Sequence, residues 1–86
     1  MSMKLPDRTA RQKQYLKQIG SNIRAARLQA KMSQEEFAAE AGFSRSYFTE
    51  IESGKRNISI LNLIKIMELT GTGPELIVGR ILPKKE

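Results

Sequence analysis

The sequence predicts an all-α fold, a bundle of five short helices. Three observations carry that prediction. Apolar residues recur at three- and four-residue steps, as in Leu16, Ile19, Ile23, Ala26 and Ala30, which is one helical face. Serines stand where helices should begin and glycines where they should end: Ser33 and Gly42, Ser44 and Gly54, Ser59 and Gly71. The connections between these stretches are only two to five residues long.

Pro6 and Asp7 mark the start of the first helix, and Gly20 lies within its apolar face. A glycine there costs roughly 1 kcal/mol relative to alanine, so the helix is expected to bend or truly begin near that point. Ser33-Gln34-Glu35-Glu36 is a capping box, and the helix it opens should run to Ala41, with Gly42 as its left-handed terminator. Ser44 caps a third helix that should reach Ser53 and stop at Gly54. Ser59 caps a fourth, from Ile60 to about Leu69. Pro74 suits a first helical position, and Glu75 to Leu82 should form a short fifth helix or a strand, since its Leu, Ile and Val content fits either. Residues 1–18 are thus a basic N-terminal extension of the first helix, 19–82 the folded unit, and 83–86 a loose tail.

Eighty-six residues allow one domain with a modest core. Fifteen Lys and Arg against nine Asp and Glu leave a net charge of +6, which favours a phosphate-rich partner. The charge is uneven: +7 over residues 1–31, −4 over 32–52 and +3 over 53–86. Cys and His are both absent, which excludes disulfides, thiolate chemistry, the usual zinc sites and histidine acid–base catalysis. No enzyme, metal or cofactor is expected. Nor is a small-molecule ligand, since no second domain is seen to sense one. No apolar signal core and no membrane-length apolar run is found, so the expected location is the cytoplasm.

The stretches 34–41 and 45–53, joined by a tight turn containing Gly42, describe a helix-turn-helix. Phe37, Ala38 and Ala41 share one side of the first helix; Phe48 and Ile51 share one side of the second, and Phe43 plugs the turn. Small Ala38 lets the two helices approach closely. Arg45, Ser46, Thr49 and Glu50 then point outward, with Tyr47 on the margin. An exposed stripe of short polar residues led by arginine suits a major-groove helix: arginine bonds a guanine edge bidentately and hydroxyls serve several bases. Lys55, Arg56 and Asn57 follow at the helix end, placed for phosphate or a neighbouring base. Gln34 opens the preceding helix, where its amide and the unladdered backbone N–H groups can meet phosphate. The partner expected is double-stranded DNA.

The segment IRAARLQAKMSQEEFAAEAGFSRSYFTEIESGKRNIS resembles the Cro/repressor-type, or xenobiotic-response-element, helix-turn-helix family. The resemblance covers roughly residues 19–71. It rests on Arg-x-x-Arg, Ser-Gln-Glu, Ala-x-x-Ala-Gly and Ile-Glu-x-Gly occurring together and in order. It implies a lambda-repressor-like DNA-binding domain. The form ESGKRNIS is most similar to controller proteins of restriction–modification systems, which are single-domain dimers. Carried over by position, the resemblance implies base contacts from Arg45, Ser46, Thr49 and Arg56, and phosphate contacts from Gln34, Ser44, Tyr47, Lys55 and Asn57. It also implies an internal ion pair between Arg27 and Glu52. The family usually has apolar residues where Thr70 and Thr72 stand, so the junction to the last helix should pack differently here.

Five acids lie between residues 32 and 52. Glu35 and Glu36 fit a first helical turn, where negative charge is favoured. Glu40 fits the solvent side, and Glu52 neutralises Arg27. Glu50 faces the groove, either accepting from a cytosine amine or rejecting wrong sequences by repulsion. One recognition helix reads about four or five base pairs, so a homodimer on a two-fold operator is expected, with half-sites about 34 Å apart. Leu63, Met67, Leu76, Ile77 and Ile81 are the residues assigned to its interface. The sequence therefore reads as a sequence-specific transcription regulator. The alternative is an antitoxin that represses its own operon through the same domain.

Overall fold

The protein is described by a computed structural model over residues 8–79 and 81. Five helices follow in order: α1 Arg8–Gln29, α2 Gln34–Ala41, α3 Arg45–Ser53, α4 Ile60–Thr70 and α5 Pro74–Ile77. The described residues contain no strand. The tail expected at residues 83–86, and the start expected at Pro6 and Asp7, lie outside the described residues.

The serine and glycine punctuation holds for α2, α3 and α4. Ser33 Oγ accepts from the Glu36 amide at 3.0 Å while the Ser33 amide donates to Glu36 Oε1 at 2.9 Å, so the capping box is complete. Ser44 Oγ accepts from the Tyr47 amide and Ser59 Oγ from the Asn62 amide, each at 3.1 Å. Beyond α2, the Phe43 amide donates to the Ala38 carbonyl at 2.8 Å, and beyond α3 the Lys55 amide donates to that of Glu50 at 2.9 Å. These bonds close each C-terminus around a left-handed glycine.

Gly20 does not begin α1, which runs through it for 22 residues. The glycine answers a packing demand instead. A Cβ there would lie 2.4 Å from the Ile51 carbonyl oxygen and 2.5 Å from that of Glu52. Gly54 repeats the device one contact further on: a Cβ there would sit 2.6 Å from Lys17 Cα, and its φ of +79° favours glycine in any case. Two glycines thus seat α1 across the C-terminal end of α3.

The fifth element corrects the expectation of a helix or strand over Glu75–Leu82. The helix is a single turn, Pro74–Ile77. Asn22 on α1 donates its side-chain amide to the Ile77 carbonyl at 2.8 Å, engaging the acceptor that a longer helix would offer to Ile81. The Ile81 amide turns to Val78 instead, at 3.4 Å.

The core sits where the helices converge. Phe37 and Phe48 stack with ring centroids 4.9 Å apart, and Ile23, Ile66 and Ile77 are sealed from solvent beside them. Ala38 and Ala41 fill the α2 side of the core. Thr70 is accommodated at the end of α4 because its hydroxyl donates to the Ile66 carbonyl at 2.9 Å, so the polar side chain is satisfied within its own helix.

Candidate nucleic-acid interface

The nine residues of α3 divide by the helical period. Phe48, Ile51 and Glu52 are buried, while Arg45, Ser46 and Thr49 are exposed. Glu50, partly exposed, stands at the margin. Burial of Phe48 against Phe37 fixes the rotation of α3, and that rotation presents the polar stripe outward.

Glu52 points inward because Arg27 meets it. Arg27 Nε donates to Glu52 Oε2 at 2.7 Å and Nη2 donates to Oε1 at 3.1 Å, while Nη1 caps the Met32 carbonyl at 2.7 Å. The two side chains keep only 7% and 3% of their surface. This fork ties the last turn of α1 to the end of α3 and, through Met32, to the turn before α2.

Gln34 opens α2, as the sequence expects, and its side-chain amide is engaged within the protein. Its Nε2 donates to Glu52 Oε1 at 2.8 Å, and its Oε1 accepts from Thr49 Oγ1 at 3.3 Å. The side chain is therefore a brace between the start of α2 and the outer face of α3, and it positions the Thr49 hydroxyl. The Ser44 hydroxyl caps α3 as an acceptor and keeps its own proton for a donor role. Both residues stay at the rim of the face.

Tyr47, Glu50 and Arg56 form a cluster that sequence reasoning did not join. Arg56 Nε donates to Glu50 Oε1 at 3.1 Å, and the guanidinium carbon lies 5.2 Å from the centre of the Tyr47 ring. The Tyr47 hydroxyl accepts from Asn62 Nδ2 at 2.9 Å, and its ring meets Phe43 edge-on at 5.2 Å. Asn62 carries no sequence signal of its own; it matters because α4 brings it to Tyr47. Lys55, Arg56 and Asn57 are exposed beyond the end of α3. The face as a whole offers guanidinium, ammonium and hydroxyl donors with one carboxylate among them. Such a surface can bond base edges and phosphates.

Residues 23–77, well over half of the chain, match a protein family described as helix-turn-helix. The chain belongs to the helix-turn-helix family. Its type is Cro/C1, whose members are DNA-binding regulators and not enzymes. Among the relatives is control protein C.MunI from a Mycoplasma species, 54% identical over 35 residues; these are 41% of this chain and 47% of that protein. Control protein C.BamHI from Bacillus amyloliquefaciens is 40% identical over 58 residues, 66% of this chain and 72% of the relative. The crystal structure of the restriction-modification controller protein C.AhdI from Aeromonas hydrophila aligns with a TM-score of 0.67 at 32% identity. It covers 72% of this chain and 94% of its own. The chain thus spans about half of the C.MunI protein and more than two-thirds of C.BamHI. The antitoxin alternative finds no support among these relatives.

The five residues assigned to a dimer interface separate in this helix-turn-helix protein. Leu63 and Ile77 lie within the buried core cluster of this protein, 8% and 0% exposed. Met67 and Ile81 are half-buried and Leu76 is exposed. The apolar surface that remains open on α4 is instead Ile60, Leu61 and Ile64. No helix among the described residues is long and apolar enough to cross a membrane.

Proposed function

We propose that this protein binds a two-fold DNA operator as a homodimer and controls transcription of a restriction–modification system. The reading is carried by one observation: Arg45, Ser46 and Thr49 stand exposed on α3 while Phe48 and Ile51 anchor it. The relatives named as controller proteins supply the biological setting.

Arg45 reads a guanine edge, with Ser46 and Thr49 bonding neighbouring bases. Arg56 extends that reading at the helix end. Lys55, Asn57, Tyr47 and the Ser44 hydroxyl hold phosphates, and the first-turn amides of α2 beside Gln34 add a further phosphate contact. Glu50 discriminates, through Arg56 or directly at a cytosine amine. The unit 19–82 carries this work, with 1–18 as its basic extension. Ile60, Leu61, Ile64 and Leu76, from 40% to 73% exposed, supply the apolar surface that pairs two subunits, with Met67 and Ile81 at its edge. Control is by occupancy in the cytoplasm: the bound dimer blocks or recruits polymerase according to where its site lies.

Selection of bound oligonucleotides should enrich a two-fold site whose half-sites lie about 34 Å apart on one duplex face. Arg45→Ala should relax preference within each half-site and cost about 1–3 kcal/mol. Unchanged specificity in that variant, or a strictly monomeric wild type by light scattering at micromolar concentration, overturns the proposal.

A further inference from the structure

We infer that Lys13 and Lys17 form a second DNA-backbone surface, which grips phosphates flanking each half-site. The inference rests on the DNA-binding function proposed above and extends it to the part of α1 that precedes the matched family segment. That segment begins at residue 23, whereas α1 begins at Arg8.

Three observations place these lysines. Lys17 lies against Gly54, whose added Cβ would come within 2.6 Å of Lys17 Cα, so α1 crosses α3 where Lys55, Arg56 and Asn57 leave it. Lys13 and Lys17 together line one shallow hollow with Ala10, Gln14 and Gln18. Lys13 precedes Lys17 by four residues, hence on the same stripe and about 6 Å further along the axis. The stripe therefore carries the cationic surface of Lys55 and Arg56 one helical turn past the end of α3.

Charge points to the partner. The sequence of α1 contains no Asp or Glu. The ion pairs among the described residues are Arg27–Glu52 and Arg56–Glu50, so neither lysine is neutralised there. Both are exposed. Cations with no acidic neighbour on their own helix gain most beside a polyanion. Duplex phosphates beyond the bases read by α3 meet that requirement.

Arg11 supplies an internal control. Residues two apart on a helix lie about 200° apart, so Arg11 sits on nearly the opposite side of α1 from Lys13. There it shares a hollow with Gln14, Tyr15, Gln18 and Ile81. It carries the same charge and belongs to the same turn, yet it does not join the stripe.

The test compares Lys13→Gln/Lys17→Gln and Arg11→Gln with wild type, on the selected operator and on an unrelated duplex, across a salt series. Retained helical circular dichroism and melting temperature establish that each variant folds. The double variant should weaken binding to both duplexes by the same factor. Its slope of log K against log salt should fall by about 0.9 for each lysine in each subunit. The deficit should vanish on duplexes trimmed to the operator edges, where no flanking phosphate remains. Arg11→Gln should keep the wild-type slope. A wild-type slope in the double variant, an equal fall in Arg11→Gln, or a loss confined to the operator overturns the inference. Binding by wild type in the same series keeps the proposed function standing; wild type that binds no duplex overturns both.

Discussion

Glu52→Gln is the sharpest perturbation of this fold, because it keeps the shape of the side chain and removes only its charge. In the native protein the carboxylate accepts from Arg27 Nε at 2.7 Å, Arg27 Nη2 at 3.1 Å and Gln34 Nε2 at 2.8 Å. The substitution leaves the Arg27 guanidinium, with 7% of its side-chain surface exposed, facing an amide that opposes part of the fork. Breaking a buried pair from one side costs about 3–5 kcal/mol, since the remaining charge loses its partner without regaining water. A domain of this length holds only about 4–13 kcal/mol in total, so the loss should be a large part of it. Replacing both residues, as in Arg27→Met with Glu52→Leu, removes both desolvation penalties at once. That double variant still orphans the Met32 carbonyl and the Gln34 amide, at about 1–3 kcal/mol each. The total, about 2–6 kcal/mol, overlaps the loss set for Glu52→Gln, so the two should be destabilised by similar amounts although the double variant changes two buried residues. Urea unfolding, read as midpoints at constant m, measures these two variants, the single Arg27→Met and Glu52→Leu variants, and wild type. A loss below about 1 kcal/mol for Glu52→Gln would refute the reasoning, as would strict additivity of the two substitutions, which denies the coupling that contacting residues show.

Gly20→Ala should lose stability even though alanine gains about 1 kcal/mol in helix propensity, because the new methyl meets the rigid Ile51 carbonyl at 2.4 Å; the net loss should be about 1–3 kcal/mol in the same urea assay. A more stable variant would show that α1 is not held against α3 at this point. Glu50→Ala should leave the unfolding midpoint nearly unchanged, since its pair with Arg56 is half-exposed and worth under about 1 kcal/mol. On DNA it should tighten binding to unrelated duplex more than to the operator. Equal tightening on both would make Glu50 a bystander.

Helix boundaries were legible where short-range chemistry decides them. Ser33, Ser44 and Ser59 cap the helices they announce, and the left-handed glycines Gly42, Gly54 and Gly71 close them. The ends that sequence misplaced depend on distant partners. Gly20 reads as a weak point until the carbonyls of Ile51 and Glu52 are seen against it, and α5 stops early because Asn22, 55 residues away, holds the Ile77 carbonyl. The reading face followed from the burial of Phe48 and Ile51. The engagement of Gln34 with Glu52 and Thr49 did not, since nothing local in Ser33-Gln34-Glu35-Glu36 says where that amide points. Apolar content likewise cannot divide a core from an interface. Leu63 and Ile64 are equally hydrophobic neighbours on α4, yet one is 8% exposed and the other 40%.

The acids of residues 32–52 show how a basic domain can read a polyanion through its most acidic segment. Glu36 caps α2 through the Ser33 amide, and Glu35 stands in the same first turn, where the helix dipole favours it. Glu40 is exposed at the far end of α2, and Glu52 is cancelled by Arg27 inside the protein. Only Glu50 stands on the outer side of α3, and Arg56 is bonded to it at 3.1 Å over the Tyr47 ring. That pairing offsets one positive charge at the margin of the α3 stripe, while Lys55 carries no such partner among the described residues. In the proposed complex, cations without such partners would act on phosphates, and Arg45, Ser46 and Thr49 on base edges. Uniform positive charge over the same surface would raise affinity for every duplex alike. In the proposed complex the Glu50–Arg56 pair would instead tie attraction by Arg56 to a site that can replace the carboxylate with a correctly placed acceptor, which is a requirement of sequence rather than of charge.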